Sequence, residues 1–191
     1  MRWLFLFLSA MQVSAGPGMT LKDPSFLGTL QKSSSGTAST PWITSFTPTG
    51  TLQNGPYIAG CRFFTSGTGF HVTQLGMWCY GTNSQSHTIY LTDASGNSLG
   101  SCTVNLSGQA TGWVYGSITP VALSPSTSYV IGATYASSGD QFLYLVAVPT
   151  VTSIASINYY AYVSGNPSPP FSWTFGASSG DYGATFQYTI P

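Results

Sequence analysis

Few side chains in this sequence are equipped for chemistry. The acids are Asp23, Asp93, Asp140 and Asp181, the bases are Arg2, Lys22, Lys32 and Arg62, and glutamate is absent. Glycoside hydrolysis needs two facing carboxylates, one of raised pKa. Asp93, Asp140 and Asp181 instead stand in Gly- and Ser-rich turns, the ordinary setting of a turn-forming aspartate. His71 and His87 could meet across neighbouring strands, but two imidazoles without a third ligand make a poor metal site. Cys61, Cys79 and Cys102 show neither CxxC nor Cys/His zinc spacing, and no Gly-x-Ser-x-Gly elbow occurs. The remaining option among cofactors is calcium, held by Asp140 or Asp181 with loop carbonyls. No catalytic residue is expected. Arg62 is the last Lys or Arg in the chain, too little to bind a nucleic-acid backbone.

The same scarcity describes the whole chain. Charged residues make up 4% of it and the formal net charge is zero, against about 25% charged in an ordinary domain. Solubility must then rest on hydroxyls, amides or attached sugars, unless the surface is hidden in an assembly. A hydrophobic share of 42% argues against disorder. Abundant Gly, Pro, Tyr and Phe, with many Ser and Thr, predict an all-β chain.

The start of the chain reads as export. Arg2, the apolar run from Trp3 to Leu8, and Val13-Ser14-Ala15 form a secretory leader (residues 1–15) expected to be cut after Ala15. The rival reading is a retained apolar arm. The apolar run is too short to span a bilayer, no second one follows, and Ile190-Pro191 carries no sorting tail. The expectation is a secreted, extracellular protein with no membrane span. Export favours one disulfide among three pairings, with Cys79–Cys102 preferred because strand alternation points both inward. The third thiol is then either buried or a link between subunits.

Residues 16–56 form an extended Ser/Thr/Pro-rich arm, exemplified by Ser33–Pro41, of the kind that carries O-glycans. From Tyr57 to the end, short strands recur between turn signals. They are 57–64, 71–80, 87–92, 99–106, 113–119, 129–135, 142–148, 154–163 and 184–190. Asp93–Asn97 is a tight hairpin, and Pro120 and Pro125 flank a run suited to a sheet edge. Together these predict a two-sheet antiparallel β-sandwich of jelly-roll type over residues 57–191.

The run Ser86–Val104, containing His87-Thr-Ile-Tyr-Leu-Thr-Asp-Ala-Ser-Gly-Asn97, resembles a widespread family of secreted bacterial domains of unknown function. Gly60–Phe63, Val72–Trp78, Pro120–Tyr135, Gly139-Asp140, Tyr162–Gly165 and Asp181–Phe186 extend the likeness over roughly residues 57–190. The resemblance implies an extracellular β-sandwich without established catalytic residues. Members often carry an anchoring tail, absent here, and many have an acid where Cys79 stands.

Two functions compete. An apolar arm before a sandwich without edge lysines suggests a structural subunit of an extracellular filament or coat, its partner another copy of itself. The arm's anchors would be Trp42, Ile43 and Phe46, with Phe26, Leu27 and Leu30. Glycans would sit on Asn105 of the sequon Asn105-Leu-Ser107, and on Ser39, Thr40, Thr47 and Thr49. The alternative is a carbohydrate-binding or adhesion module that stacks sugars on Tyr160, Tyr162 and Trp173.

Overall fold

The structure, a computed structural model, describes residues 38–45, 47, 51–52, 56–135, 140–143, 147–176 and 183–191. Thr37–Pro191 form one compact unit. Among the described residues the arm contributes three short strands, β1 (Thr40–Pro41), β2 (Ile43–Ser45) and β3 (Thr51–Leu52). The long strands follow as β4 (Tyr57–Thr65), β5 (Phe70–Cys79), β6 (Ser86–Asp93), β7 (Ser98–Asn105), β8 (Gly112–Leu123) and β9 (Ser128–Tyr135). Next come β10 (Phe142–Leu143), β11 (Thr150–Val151), β12 (Ala155–Ser164), β13 (Thr174–Gly176) and β14 (Ala184–Thr189).

A four-stranded sheet in the order β1-β14-β5-β8 packs against a six-stranded sheet in the order β13-β12-β4-β9-β6-β7. All pairings are antiparallel. The two-sheet β-sandwich expected from the sequence is therefore what forms. Its cause is period-two alternation: in β5, Leu75, Met77 and Cys79 point into the core while Gln74 and Trp78 point out. Phe63, Leu91 and Ile131 of the larger sheet meet Leu75, Met77 and Phe186 of the smaller one in a single core. Pro120 lies inside β8, an edge strand, where its missing N–H costs no ladder bond to a second neighbour.

A smaller apolar cluster covers part of the larger sheet's other face. Phe171 packs there on Ile58 and Val163, flanked by Tyr90 and Trp173. The hairpin tip holds this cover in place. Gly96 has φ +85° and its carbonyl accepts the Phe171 N–H at 3.0 Å, with the Phe171 backbone so close that no Cβ fits. Asp93 supports the turn by accepting the amides of Ser95 and Asn97, both at 2.9 Å.

The cysteine pairing does not form. Cys102 Sγ lies 3.6 Å from the Leu75 carbonyl of the facing sheet, whereas Cys79 stands further along β5 beside Leu106 and Gln109. The step from Leu75 to Cys79 spans about 13 Å at ~3.3 Å per residue, beyond the reach of a disulfide. Both are thiols, and Cys61 is buried in the core. Alternation found the right face but could not set the position along the strand.

Candidate functional site

The buried polar centre of the sandwich is an ion pair. His87, on β6, and Asp140, just before β10, meet at 2.8 Å (Nε2 to Oδ2) with 2% of each side chain exposed. The His87 Nδ1–H donates to the Thr134 carbonyl at 2.6 Å, since a carbonyl can only accept. Asp140 also accepts the Ser84 amide (2.7 Å) and hydroxyl (3.3 Å) on Oδ1 and the Gln85 amide (2.9 Å) on Oδ2. Burial pushes its carboxyl pKa up, but the His87 bond and the two amides outweigh that and hold it below the ordinary value.

This geometry is wrong for catalysis. A His–Asp pair acts on a nucleophile or substrate through the second ring nitrogen. Here both nitrogens are occupied, one by Asp140 and one by Thr134. Four donors on two oxygens also fill the Asp140 lone pairs, so this carboxylate is a poor calcium ligand. Among the described residues no three His, Cys, Asp or Glu gather as a metal site. His71, on β5 of the other sheet, pairs with Thr189 and Ala122 and does not meet His87. Asp181 lies outside the described residues.

The arm enters the sandwich as a plug. Trp42 is fully buried and stacks on Phe186, with centroids 4.5 Å apart and planes at 9°. Its Nε1–H donates to Ala155 O at 3.1 Å, its backbone N–H to Phe186 O at 3.0 Å, and its carbonyl accepts the Thr152 amide at 2.9 Å. On either side Pro41 pairs with Gln187 of β14 and Ile43 with Val151 of β11, and Ile43 is 3% exposed. Trp42 and Ile43 thus fill a seat in a sandwich core rather than standing exposed. Phe26, Leu27, Leu30 and Phe46 lie outside the described residues.

Residues 45–176 match a family described as a domain of unknown function, DUF4082. The chain belongs to the DUF4082 family. No curated protein matches it. The family match takes in most of the strands, including both partners of the His87–Asp140 pair, but not β1, β14 or β2 before Ser45. The stacked Trp42–Phe186 pair is therefore contributed from both sides of the matched DUF4082 region.

The aromatics singled out as sugar platforms are differently employed in this DUF4082 domain. Trp173 covers the larger sheet and donates its Nε1–H to Thr92 Oγ1 at 3.1 Å. Tyr160 and Tyr162 stack on each other at 5.9 Å and pack against the main core. A further aromatic group, partly buried like Tyr160 and Tyr162, lies on the outer face of the smaller sheet, where cross-strand register aligns Trp78 with Trp113 and Gly76 with Tyr115. The Tyr115 ring lies over Gly76, where a Cβ would meet its Cδ1 at 2.5 Å. With Gln187 of β14 and Ile43, Thr44 and Ser45 of the arm, these rings border a groove of about 540 Å³. Alternation on β5 and β8 contained this signal, since Trp78 and Trp113 lie opposite the core-facing positions.

Of the glycan positions, Ser39, Thr40, Thr47 and Asn105 are exposed, and Thr49 lies outside the described residues. Asn105 ends β7, an edge strand, and its Oδ1 accepts the Ser107 amide at 3.0 Å. Among the described residues no helix is long and apolar enough to cross a membrane.

Proposed function

We propose that this protein is a secreted, non-enzymatic structural subunit of an extracellular filament or coat, joined copy to copy by its N-terminal arm and clothed in glycans. The observation that supports this most is the seat of Trp42. Its partners Ala155, Thr152 and Phe186 all lie more than 100 positions away in the chain. The seat is therefore indifferent to which copy supplies the arm. An arm donated by a neighbour makes the same contacts as one folded back, which is how exchange of an element assembles identical chains at low cost. Donated in one direction, arms propagate a chain of subunits that does not close.

Surface chemistry supports the same reading. With 4% charged residues the subunit has little electrostatic repulsion against its neighbours. A glycan on Asn105 would block lateral pairing along β7, restricting contact to the arm. The leader-like pattern of residues 1–15 supports export, which agrees with the sequon. The occupied nitrogens of His87 and filled oxygens of Asp140 support reading this buried polar cluster as a structural brace. Electron microscopy of the natively secreted full chain across a concentration series tests the proposal. Filaments or ordered oligomers that grow with concentration support it, and a monodisperse monomer at every concentration overturns it.

A further inference from the structure

We propose that the groove on the smaller sheet binds an uncharged saccharide. Its volume of about 540 Å³ lies within the range of small-molecule sites, ~300–1,000 Å³. Its floor is formed by Trp78 and Trp113, cross-strand partners one pair from the Cys79–Gly112 end of the β5–β8 ladder. The two indoles stand nearly at right angles (81°) with centroids 5.3 Å apart, so a ligand meets one ring face and one ring edge. Aromatic faces suit the C–H faces of a pyranose, and the polar groups around them suit its hydroxyls.

Those polar groups are all neutral. Gln187 supplies an amide, and Thr44 and Ser45 supply hydroxyls on the arm side. Burial raises the Tyr115 pKa, so its phenol stays protonated. The Gln187 and Thr185 side chains next to Tyr115 Oη pull the other way, and burial outweighs them. Among the described residues no Asp, Glu, Lys or Arg lines the groove, so a charged ligand would lose hydration with no counter-charge from them in return. This selects a neutral glycan over a uronate or a sulfated chain. The role is independent of the assembly proposal, because arm residues wall the groove whichever copy donates them.

The test is titration of the full chain with cellohexaose, chitohexaose, laminarihexaose and mannohexaose, with heparin and polygalacturonate as anionic comparators. Tryptophan fluorescence and calorimetry are read at low and high salt. The expected result is binding of at least one neutral chain with an affinity unchanged by salt. Trp113→Ala should weaken it about tenfold or more, as loss of an aromatic anchor does. Gln187→Ala, a milder change in a half-buried residue, should weaken it by a smaller factor. Each variant is first checked by its thermal melt. The proposal is overturned by no binding to any neutral chain up to millimolar concentration. Binding untouched by both substitutions overturns it, as does binding confined to the anionic chains and lost in salt.

Discussion

Trp42→Ala is the most exacting test of the arm's place in the molecule. The side chain is fully buried, stacked at 4.5 Å on Phe186 and at 5.1 Å from the Phe63 ring centroid. Truncating a buried aromatic to alanine costs about 3–5 kcal/mol, the larger values where the surroundings cannot collapse. Collapse is hindered here because Phe186 and Phe63 belong to opposite sheets and are held by their own ladders. Loss of the indole N–H also strips the Ala155 carbonyl of its donor, a further ~1 kcal/mol or more in a buried site. These terms overlap, and about 5 kcal/mol is a fair total.

A domain of this kind is stable by only about 5–15 kcal/mol, so the substitution removes a third or more of the total. In urea, with a slope of about 2 kcal/mol per molar, the midpoint should fall by roughly 2.5 M. Equilibrium unfolding of wild type and variant at one protein concentration reads this directly, and a fixed concentration keeps any arm exchange equal between them. Thr44→Ala on the same arm is the control, since its exposed hydroxyl bonds only the Thr150 carbonyl at 3.2 Å and its loss should cost within about 0.5 kcal/mol. A Trp42→Ala shift under about 1 kcal/mol would refute the plug and leave the arm a tether outside the core.

Asp140→Asn should cost about 3 kcal/mol, because it leaves His87 buried beside a lost counter-charge. Asp140 has a folded pKa below its unfolded value, so its contribution is fully present above the unfolded pKa near 4 and is lost as pH falls through the folded pKa. Urea unfolding between pH 7 and pH 2 should therefore show an acid-side decline that Asp140→Asn flattens. Gly96→Ala should destabilise by about 2 kcal/mol or more in a thermal or urea melt, from strain at φ +85° and collision with Phe171. Burial raises the Cys102 pKa, so thiol titration of the native protein at neutral pH should find it slow to react. Reducing agent should leave the melting temperature unchanged, since Cys79 and Cys102 are not joined. Deleting 47–50 between β2 and β3 shortens the tether that lets the arm fold back, and should shift the chain toward oligomers by light scattering.

The sandwich was legible in the sequence because alternation is a local signal. The expected strands 57–64 and 129–135 differ by one residue at an end from β4 and β9, and 71–80 differs by one at each end from β5. The site was less legible because its parts meet through register. His87 and Asp140 are 53 positions apart, and Trp42 and Ala155 are 113 apart. Alternation does not record which strands are neighbours, so nothing local marks Trp42 as a core residue. The Ser/Thr/Pro composition around it argues for the opposite. Tyr160 and Tyr162 do share a face, as expected, with Tyr159 opposite. That face turned out to be the inner one, and Tyr159 is the ring left 46% exposed. A bulge between Ile157 and Tyr159 shifts the phase of β12 there, and no residue type at that point announces it.

The arm's two proposed roles are coupled by its position. Trp42 points into the core while Thr44 and Ser45 wall the groove, so one short segment serves both. A saccharide in the groove then binds only the form with the arm seated and stabilises it by RT ln(1 + [L]/Kd), about 2.7 kcal/mol at a hundredfold excess over Kd. The stabilisation is the same for a neighbour's arm as for the chain's own. Ligand should therefore slow arm exchange in both directions without changing its equilibrium. In a mixture of differently labelled filaments, subunit mixing should slow on adding a binding saccharide while the filament mass stays constant. A saccharide that changed filament mass would place it at a contact made only between subunits, and the groove as drawn here would be the wrong site.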